Sequence, residues 1–356
     1  MAEVRFEAVT VRFGDAKALD GFSAIAADRA FTVLTGPPGA GKSVLLRALV
    51  GLETPASGRV LIDGRDVTAL PPAERPIGYV PQSFALYPHL TVRDNIGYPL
   101  RLARAPAARI AETVDRVAAM LSIDRLLDKT PDQLSGGEKQ RVAVARGLAR
   151  DARVFVLDDP LVGLDYKLRE RLMGDLKALR SELDATFLYA TSDPLEALTM
   201  AQDLLVIEGG RLVQAGPVDA VYAAPDFEAS LRLVGFPRAN LAAGVLAGDA
   251  VTAGPLRFRT AARGDGAVTV GFRPEALRPG ADAGVAIEGA VSLVEDLGGE
   301  TVIYVDAGGL SLTMVRPLDA PGAPPRMGER IVLSADPAAL MVFDAATGRA
   351  LTRGAA

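Results

Sequence analysis

The sequence predicts an α/β domain followed by a β-rich domain, on three observations. From Val4 to about Gly235, short β-branched runs alternate with longer helical patterns, as expected where helices cover a sheet. One run, residues 31–34, leads directly into a Gly-rich loop and an apolar helix start. After Phe236-Pro237 the pattern changes to Gly- and Pro-rich turns between short alternating segments such as Val302-Ile303-Tyr304-Val305 and Ile331-Val332-Leu333, which reads as strands. A chain of 356 residues exceeds the usual ~150 residues of one domain. The expected division is 1–235 and 236–356.

Within the first part, buried strands are expected at 31–34, 77–80, 154–157, 187–190 and 204–207. Leu168, Leu172, Leu176, Leu179 and Leu183 recur at helical spacing, as do Ile110, Val114, Val117 and Leu121, and such stripes mark core-facing helix surfaces. In the second part, residues 317–325 are Pro-rich and read as a surface loop.

Composition removes several function classes. With no cysteine, disulfides, thiolate metal sites and cysteine nucleophiles are excluded. A net charge of −5 offers a polyanion no general attraction, so nucleic acid is not an expected partner. The start carries Glu3 and Arg5 and lacks a signal-peptide pattern, and no apolar stretch is long enough to span a bilayer, so neither export nor membrane crossing is expected.

The loop after the 31–34 run reads Gly36-Pro37-Pro38-Gly39-Ala40-Gly41-Lys42-Ser43, then Val44-Leu45-Leu46. This is a P-loop in its strand–loop–helix context. Its glycines let backbone N–H groups turn inward around phosphates, and the helix N-terminus adds positive potential. Lys42 is expected to reach the β- and γ-phosphates and Ser43 to ligate Mg2+. Downstream, Val154-Phe155-Val156-Leu157-Asp158 has the form of a Walker B strand whose aspartate holds the metal. Alone it would be an ordinary buried strand ending at a turn; following a P-loop, it reads as part of a nucleotide site.

Between the two lies Leu134-Ser135-Gly136-Gly137-Glu138-Lys139-Gln140-Arg141. Here the chain resembles the ATP-binding-cassette (ABC) ATPases. The resemblance implies a P-loop ABC ATPase fold with a helical subdomain at about 83–153, and ATP and Mg2+ as cofactors. It implies that Ser135, Gly136, Gly137 and Glu138 of one subunit close over ATP held by another. Phe13 corresponds to the aromatic that stacks on adenine, Gln82 to the glutamine that senses the metal and attacking water, and Asp165 to the D-loop aspartate.

Phe84-Ala85-Leu86-Tyr87-Pro88-His89-Leu90-Thr91-Val92 resembles ATPase subunits of bacterial carbohydrate importers. There the segment borders the groove that receives a helix from the membrane permease, and two such permease subunits would dock near the stretch from Gln82 to Val92. His89 reads as a structural loop residue. Gly271-Phe272-Arg273-Pro274-Glu275 and Val294-Glu295-Asp296-Leu297-Gly298-Gly299-Glu300-Thr301 resemble the small OB-like β-barrels appended to sugar-, polyol- and glycerol-phosphate-importer ATPases, where dimer contact and regulation are implied.

Two positions depart from the family pattern. Asp159 stands where a glutamate normally polarises the attacking water, and Ser192 stands where a histidine usually contacts the γ-phosphate. Aspartate withdraws its charge by one methylene, and a misplacement of ~1 Å can cost ~100-fold in rate; a hydroxyl cannot carry the positive charge of an imidazolium. An intact P-loop and signature beside an altered hydrolytic pair favour a heterodimer with a fully equipped second ATPase over a homodimer. The implied protein is the energy-coupling subunit of an ABC importer for a sugar, polyol, glycerol or glycerol phosphate. It would work at the cytoplasmic face of the inner membrane and serve a periplasmic solute-binding protein indirectly. A homodimeric importer ATPase for polyamine, iron or molybdate, or a non-transport ABC protein, is the alternative.

Overall fold

In a computed structural model, residues 2–352 are described apart from Phe84, Ala283 and Pro321. Phe84 of the 84–92 segment and the side chain of Leu179 therefore lie outside the described residues. The chain divides into two compact units, Met1–Ala215 and Gly216–Ala356.

The first unit opens with strands β1 (Val4–Phe13) and β2 (Ala16–Ala26), followed by β3 (Phe31–Thr35), helix α1 (Lys42–Val50), β4 (Ser57–Ile62), β5 (Arg65–Asp66) and β6 (Ile77–Val80). Helices α2 (Val92–Leu102), α3 (Ala107–Met120) and α4 (Gly136–Leu148) follow. Then come β7 (Val154–Asp158), α5 (Tyr166–Glu182), β8 (Thr186–Thr191), α6 (Pro194–Met200), β9 (Asp203–Glu208) and β10 (Arg211–Pro217). Two sheets result, an antiparallel one ordered β2-β1-β4-β5 and a six-stranded one ordered β10-β9-β3-β8-β7-β6.

The five expected strands are the five contiguous strands of the larger sheet, and β3–β8, β3–β9, β6–β7 and β7–β8 pair in parallel. Every residue of β3, β7 and β8 is buried. That is why these segments are continuous apolar runs: a parallel sheet covered on both faces has no solvent side on which to alternate. In β1, by contrast, Val4 and Phe6 are buried and Arg5 is exposed.

Helix α1 buries Leu45, Leu46 and Leu49 in one core with Val4 and Phe6 of β1, Leu34 of β3, Val156 of β7 and Leu188 of β8. Its C-terminus is held by Arg75, 2% exposed. The Arg75 guanidinium donates to Ala48 O at 2.8 Å and Leu49 O at 2.6 Å, and also to the carbonyls of Leu70 and Thr68. A cation on terminal helix carbonyls answers both their unmet hydrogen-bonding capacity and the negative end of the dipole. The expected stripes face inward: Leu172 and Leu176 of α5 and Val114 and Val117 of α3 are buried, as is Leu121 just beyond α3.

The second unit contains α7 (Val218–Ala223), α8 (Glu228–Leu233) and β11 (Asn240–Ala253), β12 (Leu256–Phe272), β13 (Leu277–Pro279), β14 (Val285–Asp296), β15 (Glu300–Ala307), β16 (Leu310–Pro317), β17 (Arg330–Ala335), β18 (Met341–Asp344) and β19 (Ala350–Thr352). Its sheets run β11-β12-β18-β19 and β13-β17-β14-β15-β16, with every pairing antiparallel. They share one core, to which Val270 and Phe272 contribute from one sheet and Ile287, Ile303 and Leu333 from the other.

The units part about twenty residues earlier than the expected boundary between 235 and 236. Helical periodicity shows an apolar face but not which sheet covers it. Leu231 of α8 packs with Met341 and Phe343, and Arg273 donates to Leu231 O at 3.0 Å and Tyr222 O at 2.9 Å. Both short helices are thereby tied to the β unit.

Candidate functional site: a phosphate cradle and a signature turn

The parallel register sets Thr35 of β3 beside Thr191 of β8 and Asp158 of β7 beside Ala190 of β8. The P-loop, Asp159 and Ser192 therefore all leave the carboxyl ends of adjacent strands, where open α/β sheets bind ligands. Gly39 has φ 79° and Gly41, which caps α1, has φ 104°, a left-handed backbone that glycine adopts without strain.

Lys42, 8% exposed, donates from Nζ to Gly36 O at 2.7 Å, Pro37 O at 3.0 Å and Ser192 Oγ at 2.8 Å. Ser43 Oγ donates to Asp158 Oδ1 at 2.8 Å. Residues more than a hundred positions apart are thus joined. Burial pushes the Asp158 carboxyl above its ordinary value, while the Ser43 hydrogen bond and the Lys42 charge oppose the shift. Burial likewise lifts Asp159 and lowers Lys42, whose charge Asp159 and Asp158 support. Tyr79 is pushed up to about 12, chiefly by burial and then by the Asp158 charge.

The Ser43 hydroxyl and Asp158 carboxylate form the hard-oxygen donor pair that suits Mg2+, an ion that usually takes one or two protein oxygens and completes its shell with phosphates and water. The residues present therefore fit the metal implied by the sequence.

Asp159 occupies the left-handed region at φ 48°, which aspartate tolerates better than most side chains, and its N–H donates to Ala190 O at 3.0 Å. Asp159, whose charge acts on Lys42, and Ser192, which accepts from it, are thus both gathered around Lys42.

The signature turn is built differently. Ser135 caps α4 by accepting from Glu138 N at 3.3 Å, while Glu138 accepts from Ser135 N at 2.9 Å. This reciprocal capping box satisfies two helix-terminal donors. The hydrogen bond from Ser135 N holds the Glu138 carboxyl below its usual range. Ser135 and Gly136 are exposed. A Cβ on Gly136 would meet nothing within 4 Å, whereas one on Gly137 would lie 1.7 Å from Leu168 Cδ2 of α5. Among the described residues no hydrogen bond joins this turn to the P-loop.

Three further expected residues are exposed. Phe13 ends β1 and is 51% exposed, and Gln82 is exposed beyond β6. His89 is exposed, with its ring 6.3 Å from that of Tyr87. Sequence reasoning missed Asn95, fully buried, which accepts from Tyr87 N and donates to the carbonyls of Tyr87, Leu90 and Thr91, shaping the 87–91 segment. It also missed Gln140, which donates to Pro160 O and ties α4 to the loop after Asp159. Their only sequence signal is a polar residue within an otherwise apolar helix face.

Residues 19–162 match the family model described as ABC transporter, and residues 270–343 match the TOBE domain model. The chain is 37% identical to the sulfoquinovosyl glycerol transport ATP-binding protein SmoE of Agrobacterium fabrum, over 99% of its own length and 100% of that protein's. This chain belongs to the ABC transporter ATP-binding subunits. The cassette is also 38% identical, over 99% of this chain and 100% of the relative, to the sn-glycerol-3-phosphate import ATP-binding protein UgpC of Cereibacter sphaeroides. Among solved structures, the dimeric post-hydrolysis state of the ATP-binding cassette MJ0796 bound to ADP and Pi is similar, with a TM-score of 0.53 and 29% identity over 60% of this chain and 98% of that one. As a member of this family the protein is an ABC-type transport ATPase, and its second unit is the OB-like TOBE region. No helix among the described residues is long and apolar enough to cross a membrane.

Proposed function

We propose that this cassette is the ATP-binding, energy-coupling subunit of a bacterial importer for a sugar, polyol, glycerol or glycerol phosphate, working at the cytoplasmic face of the inner membrane. The observation that carries the nucleotide role is the meeting of Lys42, Ser43 and Asp158 at the ends of β3 and β7. The cargo class rests on the near full-length similarity to importers of glycerol derivatives.

In this reading ATP lies between the P-loop of one cassette and the Ser135-Gly136-Gly137-Glu138 turn of another. Amides around Gly39 and Gly41 and the Lys42 ammonium bind the phosphates, Ser43 and Asp158 hold Mg2+, and Gln82 approaches from its own segment. The metal neutralises phosphate charge. Phe13 supports the adenine, and permease subunits dock beside the 82–92 segment, through which closure of the cassettes is transmitted. Only differential affinity for the closed and open arrangements can drive such a cycle.

Asp159 receives the attacking water's proton less effectively than a glutamate would, because its carboxyl is set back by one methylene. Ser192 offers a neutral hydroxyl where a cation would contact the γ-phosphate. This chain's own site is therefore slow, and its signature turn completes the faster site of a different ATPase subunit. The test is ATP turnover by the reconstituted transporter carrying Asp159→Glu and Ser192→His together. A gain of about tenfold or more supports the reading. Brisk turnover by an assembly holding a single kind of ATPase chain overturns the heterodimer.

A further inference from the structure

Arg169 lies in the first turn of α5, where its N–H donates to Asp165 O at 2.9 Å. Asp165 also caps this helix, its Oδ1 accepting from Leu168 N at 3.0 Å. The Arg169 side chain points away from that loop, toward the turn after β8. Its Nη1 meets Asp193 Oδ2 at 2.9 Å and its Nε lies 3.7 Å from Glu196 Oε1.

Each carboxylate already has a second task. Asp193 Oδ1 caps α6 by accepting from Leu195 N and Glu196 N. Glu196, with only 4% of its side chain exposed, accepts through Oε2 from Tyr189 OH at 2.9 Å and Thr191 Oγ1 at 2.7 Å. Thr191 Oγ1 in turn accepts from Asp193 N at 3.0 Å. Ser192, the hydroxyl on Lys42, therefore hangs on a turn whose two flanking residues are both fixed, and one guanidinium joins that turn to the helix that Asp165 caps.

We infer that Arg169 is a positioning residue that yokes the Asp165 loop to the Ser192 turn, so that the two move as one body at the nucleotide. Because a planar guanidinium spreads its charge over a fixed fork, Arg169 can donate to Asp193 while its Nε, which makes no hydrogen bond, pairs in charge with Glu196, and an ammonium cannot reproduce that geometry. The inference deepens the nucleotide-site reading and rests on it for its nucleotide-dependent consequence.

The test compares amide hydrogen exchange in the full chain for wild type, Arg169→Gln, Arg169→Lys, Asp193→Asn and the double variant Arg169→Gln/Asp193→Asn, each with and without ATP and Mg2+. Asn caps helices as well as Asp does, so Asp193→Asn loosens the link and spares α6. Without nucleotide, Arg169→Gln is expected to speed exchange roughly three- to tenfold in both 161–168 and 191–196, and the double variant to do no more than the larger single change, as coupled partners require. Exchange in β3 stays unchanged, which separates loss of the yoke from general unfolding.

With ATP, wild type gains protection in both segments, Arg169→Gln only in 191–196, and Arg169→Lys recovers part of the response. Additive effects of the two substitutions overturn the inference, as does undiminished protection of 161–168 by ATP in Arg169→Gln. If ATP binds to none of the proteins and slows exchange in none of them, the nucleotide-site reading fails. The non-additivity measured without nucleotide still decides for or against the yoke.

Discussion

The phosphate cradle and the signature turn both present backbone amides at the N-terminus of a helix, yet they are finished in opposite ways. At the cradle, the end of α1 is enclosed: Lys42 is 8% exposed and makes three hydrogen bonds, and Ser43 is fastened to Asp158. At the start of α4, Ser135 and Gly136 are exposed, and among the described residues the side-chain hydrogen bonds there are those of the capping box itself. In the proposed reading, the cradle holds a phosphate with its own atoms. In the same reading, the turn becomes part of a site only when another cassette is brought against it. The same backbone physics thus serves two purposes, according to whether the neighbourhood is filled from within the chain.

The largest effect that would sharpen this contrast is expected at Lys42. Lys42→Ala removes the buried cation of the cradle, and hydrogen bonds to charged groups contribute ~1.5–3 kcal/mol. Titration calorimetry with ATP should show affinity falling by roughly 10- to 100-fold. A comparable loss on Ser135→Ala in the isolated chain would break the contrast, because the turn would then be gripping nucleotide without a partner.

The two signature glycines divide next. Gly137→Ala drives a methyl into Leu168, and overpacking of this kind costs ~1–3 kcal/mol, so thermal denaturation should move down and Leu168→Ala should restore part of the loss. Gly136→Ala meets open space and should leave the melting temperature unchanged, while weakening ATP-dependent association between cassettes, read by analytical ultracentrifugation.

The smallest effect concerns Glu138. Its carboxyl lies below the ordinary value because the folded turn donates to its charged form, so its contribution is present above the unfolded carboxylate range and fades as pH falls through the folded value. Glu138→Gln keeps the capping-box geometry and cannot titrate. Melting curves of the two proteins should differ at neutral pH and converge in acid; a difference that grew in acid would contradict this account.

The strands of the parallel sheet were legible because full burial leaves a continuous apolar run, and all five lie within a residue or two of their expected places. The P-loop was legible because its glycines, lysine and serine sit at fixed offsets. Arg169, Gln140 and Arg75 were not, since each acts on groups distant in the chain and each would serve equally well as a solvated surface residue. The division between the units was misplaced for a related reason. Leu231 shows helical spacing, and only its neighbours Met341 and Phe343 reveal which sheet it covers.

By itself the sequence determined the order of elements and the form of the P-loop and pointed to Asp159 and Ser192, because those depend on residue type, spacing and periodicity. Tertiary structure decided that Ser192 bears on Lys42, that Gly137 packs against Leu168 while Gly136 faces outward, and that Arg169 joins two caps. Such facts depend on which surfaces meet after folding, and a linear pattern carries no record of approach distances between segments a hundred residues apart.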